Sequence, residues 1–271
     1  KNMKDVLIEN ISSDSRLVKN NSIFFSVNGL NKNGKDFENQ AIQKGANVII
    51  SENELTNCVS EIVYIRVKNI RKVIAIVANF FFDNPSKKIK VVGVTGTNGK
   101  SSVVNFLFQI FSMLGYKTGL ISTVNYIIGN EKFDSTHTTP DSISLNYMLN
   151  KMVIQKCEYC FMEVSSHALA QYRVYGVYFD IGVFTNITHE HIDYHKTFKN
   201  YLNSKLILFK KLLKKKSYAI YDDDLKISSN LNRITKLNKI KKLTIGNKNS
   251  SCTIIDHQFL KDEQKITFKF K

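Results

Sequence analysis

The segment from Val91 to Ser102, VVGVTGTNGKSS, constrains the fold of this chain more than any other. A strand-like apolar run ends in a loop that holds Gly93, Gly96 and Gly99, and Lys100 then opens an apolar-periodic helix. A strand, a glycine loop and a helix in this order form a phosphate cradle, because loop N–H groups and the positive helix end face the anion. The lysine reaches the outer phosphates. The sequence therefore predicts a nucleotide-binding loop.

The spacing of this loop differs from the common phosphate-loop pattern, G-x-x-x-x-G-K-[ST]. That pattern needs glycine at position 94, where this chain has Val94, so the loop follows the shorter form G-T-N-G-K-S. A glycine-rich turn without a ligand is the alternative interpretation. The order of strand, loop and helix favours a variant phosphate loop.

The length of 271 residues is comfortable for two domains, and 43% hydrophobic residues with only 2 prolines exclude a disordered or fibrous chain. A Pro and a charged pair at Asn84–Lys88 predict a linker, so we expect one domain over residues 1–86 and a second over 87–271. No run of about 18 apolar residues and no secretory signal are present. We expect a cytoplasmic protein without a membrane span.

The formal net charge of +16 raises the possibility of nucleic-acid binding. The lysines are scattered along the whole chain, which favours a compositional bias over a binding face, so we expect no nucleic-acid partner. One dense block is interpreted as the basic end of an amphipathic helix. It consists of Lys210, Lys211, Lys214, Lys215 and Lys216.

Cysteine usage fits a reducing compartment. Cys157 and Cys160 form a C-x-x-C, which is typical of a redox pair or half of a zinc site. No second pair stands at zinc spacing, and both residues lead into an apolar strand. Buried structural thiols are the preferred interpretation.

Strand and helix patterns alternate along the second half of the chain. This alternation predicts an α/β fold in which a small N-terminal α/β domain precedes a mostly parallel, doubly wound phosphate-loop domain. Because the sequence stops at Lys271 within a strand-like segment, we expect this second domain to be incomplete at its C-terminal end. Its ligand site is expected at the carboxyl ends of the strands. The predicted elements are strand 91–95, helix 100–114, strand 119–124, helix 142–153, strand 161–164 and strand 181–185.

Polar residues follow the predicted strands. Glu163 closes an apolar strand beside the phosphate loop, where a Mg²⁺ ligand for a bound nucleotide is needed. A buried, hydrogen-bonded glutamate is the alternative. Lys205 lies among the apolar residues of a later helix, so it either extends to the surface or has a special reason for burial.

A histidine-rich segment follows the fourth strand. Its spacing is H-x-H-x-D-x-H, close to the H-x-H-x-D-H of binuclear metal hydrolases, but Tyr194 separates the aspartate from the last histidine. Metal-dependent hydrolysis is therefore kept as a weaker alternative. The residues concerned are His189, His191, Asp193 and His195.

Seven motifs in a fixed order give the chain a resemblance to the Mur ligases of peptidoglycan synthesis, most closely those that add the third residue of the stem peptide. The resemblance runs from near the start to about Lys205. The motifs are DSR at 14–16, NPS at 84–86, GVTGTNGKSS at 93–102, TTPD at 138–141, MEVSSHAL at 162–169, QYR at 171–173 and FTNITHEHIDYHKTF at 184–198.

The resemblance implies a role for each matching residue. The ATP-binding loop would comprise Gly96, Thr97, Asn98, Gly99, Lys100, Ser101 and Ser102. Ser101 and Glu163 would hold one Mg²⁺, His191 would help to hold a second, and a carbamylated Lys205 would be a further ligand near the metal. The catalytic residues would be Lys100, Glu163, His191 and Lys205. The uridine nucleotide would contact Ser13, Ser15, Leu30, Asn31 and Lys32. The muramoyl dipeptide would contact His137, Thr138, Thr139, Ser165, Gln171 and Arg173.

The reaction implied by the resemblance joins a diamino acid, meso-diaminopimelate or L-lysine, to UDP-N-acetylmuramoyl-L-alanyl-D-glutamate through an acyl phosphate. ATP and Mg²⁺ would be the cofactors and the protein would be a monomer.

Family members carry a third, C-terminal domain, which we expect to be absent here. Glu190, His137 and Asp222 stand where the family commonly has Asp, Asn and Asn. Another ligase of this superfamily, such as a folylpolyglutamate synthetase, and a non-catalytic nucleotide-binding remnant remain the alternatives.

Overall fold

Two structural units follow one another along the chain, Lys1–Phe81 and Phe82–Lys271, in a computed structural model. It describes residues 6–29, 33–54, 58–246 and 250–271. Both units combine helices with mostly parallel sheets, so the predicted fold class is confirmed. The exact domain boundary at residue 86 stays a prediction. Among the described residues, no helix is long and apolar enough to cross a membrane.

The first unit is built on a four-stranded parallel sheet in the order β1-β2-β3-β4. Its core contains Phe24, Ile49 and Ala41, which are all buried. The helices and strands are β1 (Asn10–Ser12), a 3-10 turn (Ser15–Leu17), β2 (Ser22–Ser26), a 3-10 turn (Gly34–Phe37), α1 (Glu38–Gln43), β3 (Ala46–Ser51), β4 (Val63–Arg66) and α2 (Ile70–Phe81).

The second unit is built on a ten-stranded sheet in the order β14-β13-β12-β11-β10-β5-β9-β6-β7-β8. Its strands are β5 (Lys90–Thr95), β6 (Thr118–Ile121), β7 (Asn125–Ile128), β8 (Glu131–Asp134), β9 (Tyr159–Glu163), β10 (Phe179–Phe184), β11 (Leu213–Asp222), β12 (Lys241–Gly246), β13 (Cys252–Phe259) and β14 (Gln264–Phe270). Its helices are a 3-10 turn (Pro85–Lys87), α3 (Lys100–Met113), α4 (Ser142–Ile154), α5 (Ser166–Ala170), α6 (Ile192–His195), α7 (Phe198–Ile207), a π-helical turn (Leu208–Leu212) and α8 (Ser228–Leu237).

The strand order creates a crevice at the centre of this sheet. Strand β5 lies between β9 and β10, and all three run parallel. The chain leaves β5 toward β6 on one side and leaves β10 toward β11 on the other. Adjacent strands whose connections diverge form the topological switch point at which α/β sheets bind ligands. The glycine loop follows β5 at this point.

The segment predicted as one strand over residues 119–124 is shorter in the structure. Strand β6 ends at Ile121, because the hydroxyl oxygen of buried Ser122 accepts the N–H groups of Val124 and Asn125, each at 3.3 Å. These bonds close a turn into β7. The antiparallel strands β7 and β8 that follow were not predicted.

The interpretation of the lysine block as a helix end is only partly correct. Lys210 and Lys211 lie in the π-helical turn, whereas the other three lysines lie in strand β11. Leu213 already pairs with Phe179 of β10, and Lys214 binds the Asp180 carboxylate with Nζ–O distances of 2.8 and 3.0 Å. Strand pairing and this ion pair outweigh the helical spacing of the sequence.

Asp180 connects three strands, which generates a stability prediction. Its Oδ2 also accepts the Val91 N–H at 2.9 Å. We expect Asp180→Ala to lower the free energy of unfolding by about 1–3 kcal/mol, because a strand N–H and a cation lose their partner. Lys215→Ala, at an exposed position of the same strand, should change it by less than about 0.5 kcal/mol. Urea unfolding measures both, and equal losses would contradict the prediction.

Candidate functional site

Two glycines shape the loop after β5 for different reasons. Gly96 has φ +153°, and a Cβ there would lie 1.9 Å from the Thr185 hydroxyl oxygen. Gly99 has φ +82° and open space around the position of a Cβ. Gly99 also precedes α3 without a side-chain cap, so the first-turn N–H groups of that helix face a potential anion. Ser101 and Ser102 occupy this first turn.

The loop is fixed by the segment that follows β10. The N–H of Thr97 donates to the carbonyl oxygen of Asn186 at 3.0 Å, and the N–H of Asn98 donates to the Asn186 side-chain oxygen at 2.9 Å. The hydroxyl of Thr185 donates to the carbonyl oxygen of Asn98 at 2.7 Å. Sequence reasoning did not single out Thr185 or Asn186, although their position at a strand's carboxyl end was a usable signal.

Two lysines converge on the loop. Lys100 Nζ donates to the carbonyl oxygens of Gly96 and Thr97 at 3.1 and 2.8 Å. Lys205 Nζ donates to the same Gly96 oxygen at 2.6 Å and lies 4.5 Å from the centre of the Tyr201 ring. The two ammonium groups therefore share one acceptor.

Burial changes the protonation of both lysines. Lys205 is 2% exposed, and burial, reinforced by the nearby Lys100 charge, lowers its pKa to about 7. Glu190 opposes this effect. Burial also lowers the pKa of Lys100, against the attraction of Glu163 and Glu190. Near pH 7, a substantial fraction of Lys205 is thus a neutral amine.

Glu163 places a carboxylate at the end of β9, beside the loop. It is 0% exposed. Its Oε1 accepts the N–H of Thr123 at 2.7 Å, and its Oε2 accepts the Thr123 hydroxyl at 3.2 Å. Both carboxylate oxygens are thus oriented by one residue of the β6–β7 turn.

A pocket of about 360 Å³ unites most of the predicted site residues of the second unit. It also contains Thr123 and His167, which sequence reasoning missed as site residues because one was assigned to a strand and the other was treated only as part of a motif. The pocket is lined by Lys100, Ser101, Thr123, His137, Thr138, Thr139, Glu163, Ser165, His167, Arg173 and His191.

Hydrogen bonds join the predicted substrate residues into one wall. The Thr139 hydroxyl donates to the carbonyl oxygen of Glu163 at 2.9 Å and accepts the N–H of Ser165 at 3.1 Å. Arg173 Nη1 donates to the Thr139 carbonyl oxygen at 2.9 Å, and its Nη2 donates to Gln171 Oε1 at 2.8 Å. Gln171 is therefore attached to the pocket through Arg173.

His137 is positioned through its backbone. The hydroxyl of Tyr126, a residue that is 1% exposed, donates to the His137 carbonyl oxygen at 2.5 Å and accepts its N–H at 3.1 Å. This double contact fixes the start of the segment that carries Thr138 and Thr139. The His137 side chain is left exposed at the pocket.

The histidine-rich segment does not assemble a hydrolase-type metal centre. Within residues 6–29, 33–54, 58–246 and 250–271, no group of three or more His, Cys, Asp and Glu is arranged to hold a metal ion. His189 stacks on Phe198 at 4.5 Å, and His195 is buried with its Nε2 3.0 Å from the Ser166 hydroxyl. His191 alone of this segment reaches the pocket.

A separate pocket of about 470 Å³ lies in the first unit. Ser13 and Ser15 line it, and the Ser15 hydroxyl donates to Gln40 Oε1 at 2.6 Å. The side-chain hydrogen bond from Arg16 lowers the pKa of Asp14 in the same wall. The predicted nucleotide contacts Leu30, Asn31 and Lys32 lie outside the described residues.

Comparison with known proteins agrees with this arrangement. Residues 94–271 match the Mur ligase middle domain, and residues 7–82 match the Mur ligase family, catalytic domain. The chain belongs to the Mur ligase family. The family assignment made from the seven motifs is thereby confirmed.

Individual relatives show to which kind of Mur ligase the chain is similar. The chain is 46% identical over 222 residues to UDP-N-acetylmuramoyl-L-alanyl-D-glutamate--2,6-diaminopimelate ligase of Cytophaga hutchinsonii, covering 81% of this chain and 45% of that protein. The chain thus spans about half the length of the curated relatives it matches.

Solved structures share the fold. A structure of UDP-N-acetylmuramoyl-L-alanyl-D-glutamate--2,6-diaminopimelate ligase superposes with a TM-score of 0.84 at 24% identity, covering 96% of this chain and 53% of that one. MurF ligase from Thermotoga maritima in complex with ADP superposes with a TM-score of 0.64 at 20% identity, covering 98% and 57%. At these identities, the superpositions support the fold itself.

The two loop glycines provide a matched pair of variants. Gly96→Ala should lower the free energy of unfolding by more than about 2 kcal/mol, because a methyl group there overlaps the Thr185 hydroxyl. Gly99→Ala should cost about 1 kcal/mol, since only its backbone conformation is strained. Urea unfolding of both variants tests the difference. The reverse order would contradict the geometry.

The low pKa of Lys205 predicts a pH-dependent stability. Between about pH 7 and pH 10, the unfolded lysine binds a proton that the folded lysine does not, so this group makes stability rise with pH by about 1.4 kcal/mol per unit. Lys205→Met should remove that contribution. Lys199→Met, at an exposed position of the same helix, is the control. Unfolding free energies measured across this range should differ in slope between the two variants, and parallel curves would refute the prediction.

Proposed function

We propose that this chain provides the ATP site and the UDP-linked substrate site of a ligase that joins 2,6-diaminopimelate to UDP-N-acetylmuramoyl-L-alanyl-D-glutamate. One observation carries the proposal: the loop lysine Lys100 and the buried carboxylate of Glu163 share a pocket with the Thr139–Arg173 wall. A phosphoryl donor and an anionic acceptor could meet there. The similarity to diaminopimelate ligases favours this substrate over those of other ligases in the superfamily.

The loop from Gly96 to Ser102 is proposed to bind the phosphates of ATP. Lys100 would exchange its bonds to the Gly96 and Thr97 carbonyl oxygens for bonds to the outer phosphates. A charge-assisted bond to phosphate is stronger than one to a neutral carbonyl, so the exchange is favourable. The lysine would then stabilise charge on the transferring phosphoryl group.

Mg²⁺ is the expected companion of ATP, and the donor set fits it. Each Glu163 oxygen accepts one hydrogen bond from Thr123 and keeps a further lone pair. Mg²⁺ is commonly bound by one or two carboxylates together with phosphates and water, so a larger cluster of protein ligands is not required. Ser101 and Glu163 would hold this ion, and His191 with a carbamylated Lys205 would help to hold a second. When bound, Mg²⁺ neutralises charge on the phosphates.

Carbamylation of Lys205 is supported by its protonation. The nitrogen lone pair of the neutral amine forms a bond to the carbon of carbon dioxide while one C=O π pair moves onto oxygen, and the nitrogen releases one proton. The neutral amine thereby becomes an anionic carbamate, and the ammonium form loses two protons in all. A pKa of about 7 makes the neutral amine available at physiological pH. The conversion also replaces the repulsion between Lys205 and Lys100 with attraction.

The muramoyl dipeptide is proposed to lie along His137, Thr138, Thr139, Ser165, Gln171 and Arg173, and the uridine nucleotide to contact the Ser13–Ser15 pocket and residues 30–32. The γ-carboxylate of D-glutamate attacks the γ-phosphorus and ADP leaves. The diaminopimelate amine then attacks the acyl carbon, and phosphate leaves. Arg173 would hold the acidic peptide, and the loop would retain the phosphoryl group.

The domain assignment follows from these roles. We propose that residues 1–86 bind the UDP end of the substrate and that residues 87–271 bind ATP. The protein is further proposed to act as a monomer in the cytoplasm, without nucleic acid. A non-catalytic nucleotide-binding remnant remains the competing function, which ATP hydrolysis that requires the UDP-linked dipeptide would exclude.

Binding measurements test the assignment of the two ligands. By calorimetry with Mg²⁺ present, Lys100→Ala should weaken ATP binding by about 10- to 100-fold and leave UDP-N-acetylmuramoyl-dipeptide binding unchanged, because one charge-assisted contact is lost. Arg173→Ala should have the opposite selectivity. Lys132→Ala, exposed on β8, is the control. A folded wild-type chain that binds neither ligand would refute the proposal.

A further inference from the structure

Thr123 contacts two side chains, Glu163 and Thr138, and the proposed function assigns these two side chains to different ligands. Its hydroxyl lies 3.2 Å from Glu163 Oε2, on the nucleotide side, and 3.1 Å from the Thr138 hydroxyl oxygen, on the dipeptide side. Its backbone N–H is committed to Glu163 Oε1 at 2.7 Å. One side chain therefore bridges the two halves of the pocket.

The turn that carries Thr123 is rigidly held. Ser122 is 0% exposed, and its hydroxyl oxygen accepts the N–H groups of Val124 and Asn125 while its proton goes to the Asn125 carbonyl oxygen at 3.0 Å. The Thr123 backbone thus has little freedom to follow a ligand. Rotation of its hydroxyl proton changes the bridge without any movement of the backbone.

The single proton of the Thr123 hydroxyl has two competing acceptors. A threonine hydroxyl has one proton to donate and two lone pairs that accept. The Thr123 hydroxyl is the donor in both contacts, so its one proton is shared between the Glu163 carboxylate and the Thr138 hydroxyl oxygen. A cation that binds Glu163 neutralises part of the carboxylate charge and weakens the hydrogen bond from Thr123. The Thr123 hydroxyl then donates its proton to Thr138. A Thr138 hydroxyl that accepts this proton becomes a stronger donor toward the pocket, because hydrogen bonds in a chain polarise one another.

We propose that Thr123 is a positioning residue whose hydroxyl couples Glu163 to Thr138, so that Mg²⁺–nucleotide and the UDP-linked dipeptide strengthen each other's binding. The inference rests on the proposed function. The Thr138 hydroxyl, polarised by the proton that it accepts from Thr123, donates to an anionic oxygen of the dipeptide. The Thr123 side chain is exposed at the pocket, so ligands that fill the pocket exclude water and strengthen the bond.

The reciprocal effect follows from linkage. If the nucleotide raises the affinity for the dipeptide, the dipeptide raises the affinity for the nucleotide by the same factor. One hydrogen bond has a net value that corresponds to about a fivefold change in a binding constant. The coupling should therefore be modest and measurable in both directions.

The test measures this coupling by calorimetry on the full chain. The hydrolysis-resistant analogue AMP-PNP with Mg²⁺ is titrated with and without saturating UDP-N-acetylmuramoyl-L-alanyl-D-glutamate, so that no acyl phosphate forms. Thr123→Val removes the hydroxyl and keeps the shape and the backbone N–H. Thr123→Ser keeps the hydroxyl. Thr136→Val is the matched control, because Thr136 is exposed in the same segment and does not line the pocket.

The expected result is an affinity ratio of about five for the wild type, Thr123→Ser and Thr136→Val, and a ratio near one for Thr123→Val. If Thr123→Val does not fold by thermal melting, Thr138→Val removes the other end of the bridge and should give the same loss. Coupling that survives in the valine variants, or is equally lost in Thr123→Ser, overturns the inference. Wild-type protein that binds both ligands independently also overturns it and leaves the proposed function intact. Failure to bind either ligand refutes the proposed function.

Discussion

The shared contact of two lysines with the Gly96 carbonyl oxygen is the interaction on which the rest of the site depends. Lys100 reaches it from α3 and Lys205 from α7, so one backbone oxygen ties two helices to the end of β5. Lys100, together with the protonated fraction of Lys205, places positive charge beside one neutral acceptor in a buried place. The loop is therefore prepared for an anion, and the nucleotide phosphates supply one.

Further hydrogen bonds hold the loop and helix α7 together around this contact. Tyr201 lies one helical turn before Lys205, and its hydroxyl is 3.0 Å from the Thr97 hydroxyl in the loop. The N–H of Thr188 donates to that same Thr97 oxygen at 3.0 Å. Helix α7, the glycine loop and the segment after β10 thus form one hydrogen-bonded block, in which the Lys205 amine has little room to reach water.

The features that sequence reasoning found are those that local patterns encode. The order of strand, glycine loop and helix identified the phosphate loop, and a lysine on an apolar helix face marked Lys205. The missed residues act through distant partners. Thr185 and Asn186 contact a loop that lies far before them in the chain, and Thr123 was hidden inside a predicted strand because Ser122 ends β6 early. No spacing rule encodes such contacts.

Residue composition and short spacings predicted the structure less well than the position of a residue at a strand end or on a helix face. Cys157 and Cys160 are buried, as predicted, and burial raises the pKa of both thiols, which disfavours the reactive thiolate form. The spacing of the lysine block predicted a helix, but Lys214, Lys215 and Lys216 lie in strand β11.

The π-helical turn Leu208–Leu212 has a consequence for how this segment can evolve. Its residues bridge the helix that ends just after Lys205 and strand β11, where Ala219 and Tyr221 are buried and Tyr218 is exposed. Side chains alternate between the faces of a strand, so a shift of one residue exchanges the buried and exposed sets. A deletion in the turn must either shift the register of strand β11 or move Lys205 away from the glycine loop. Substitutions at its exposed lysines are tolerable, whereas changes of length are not.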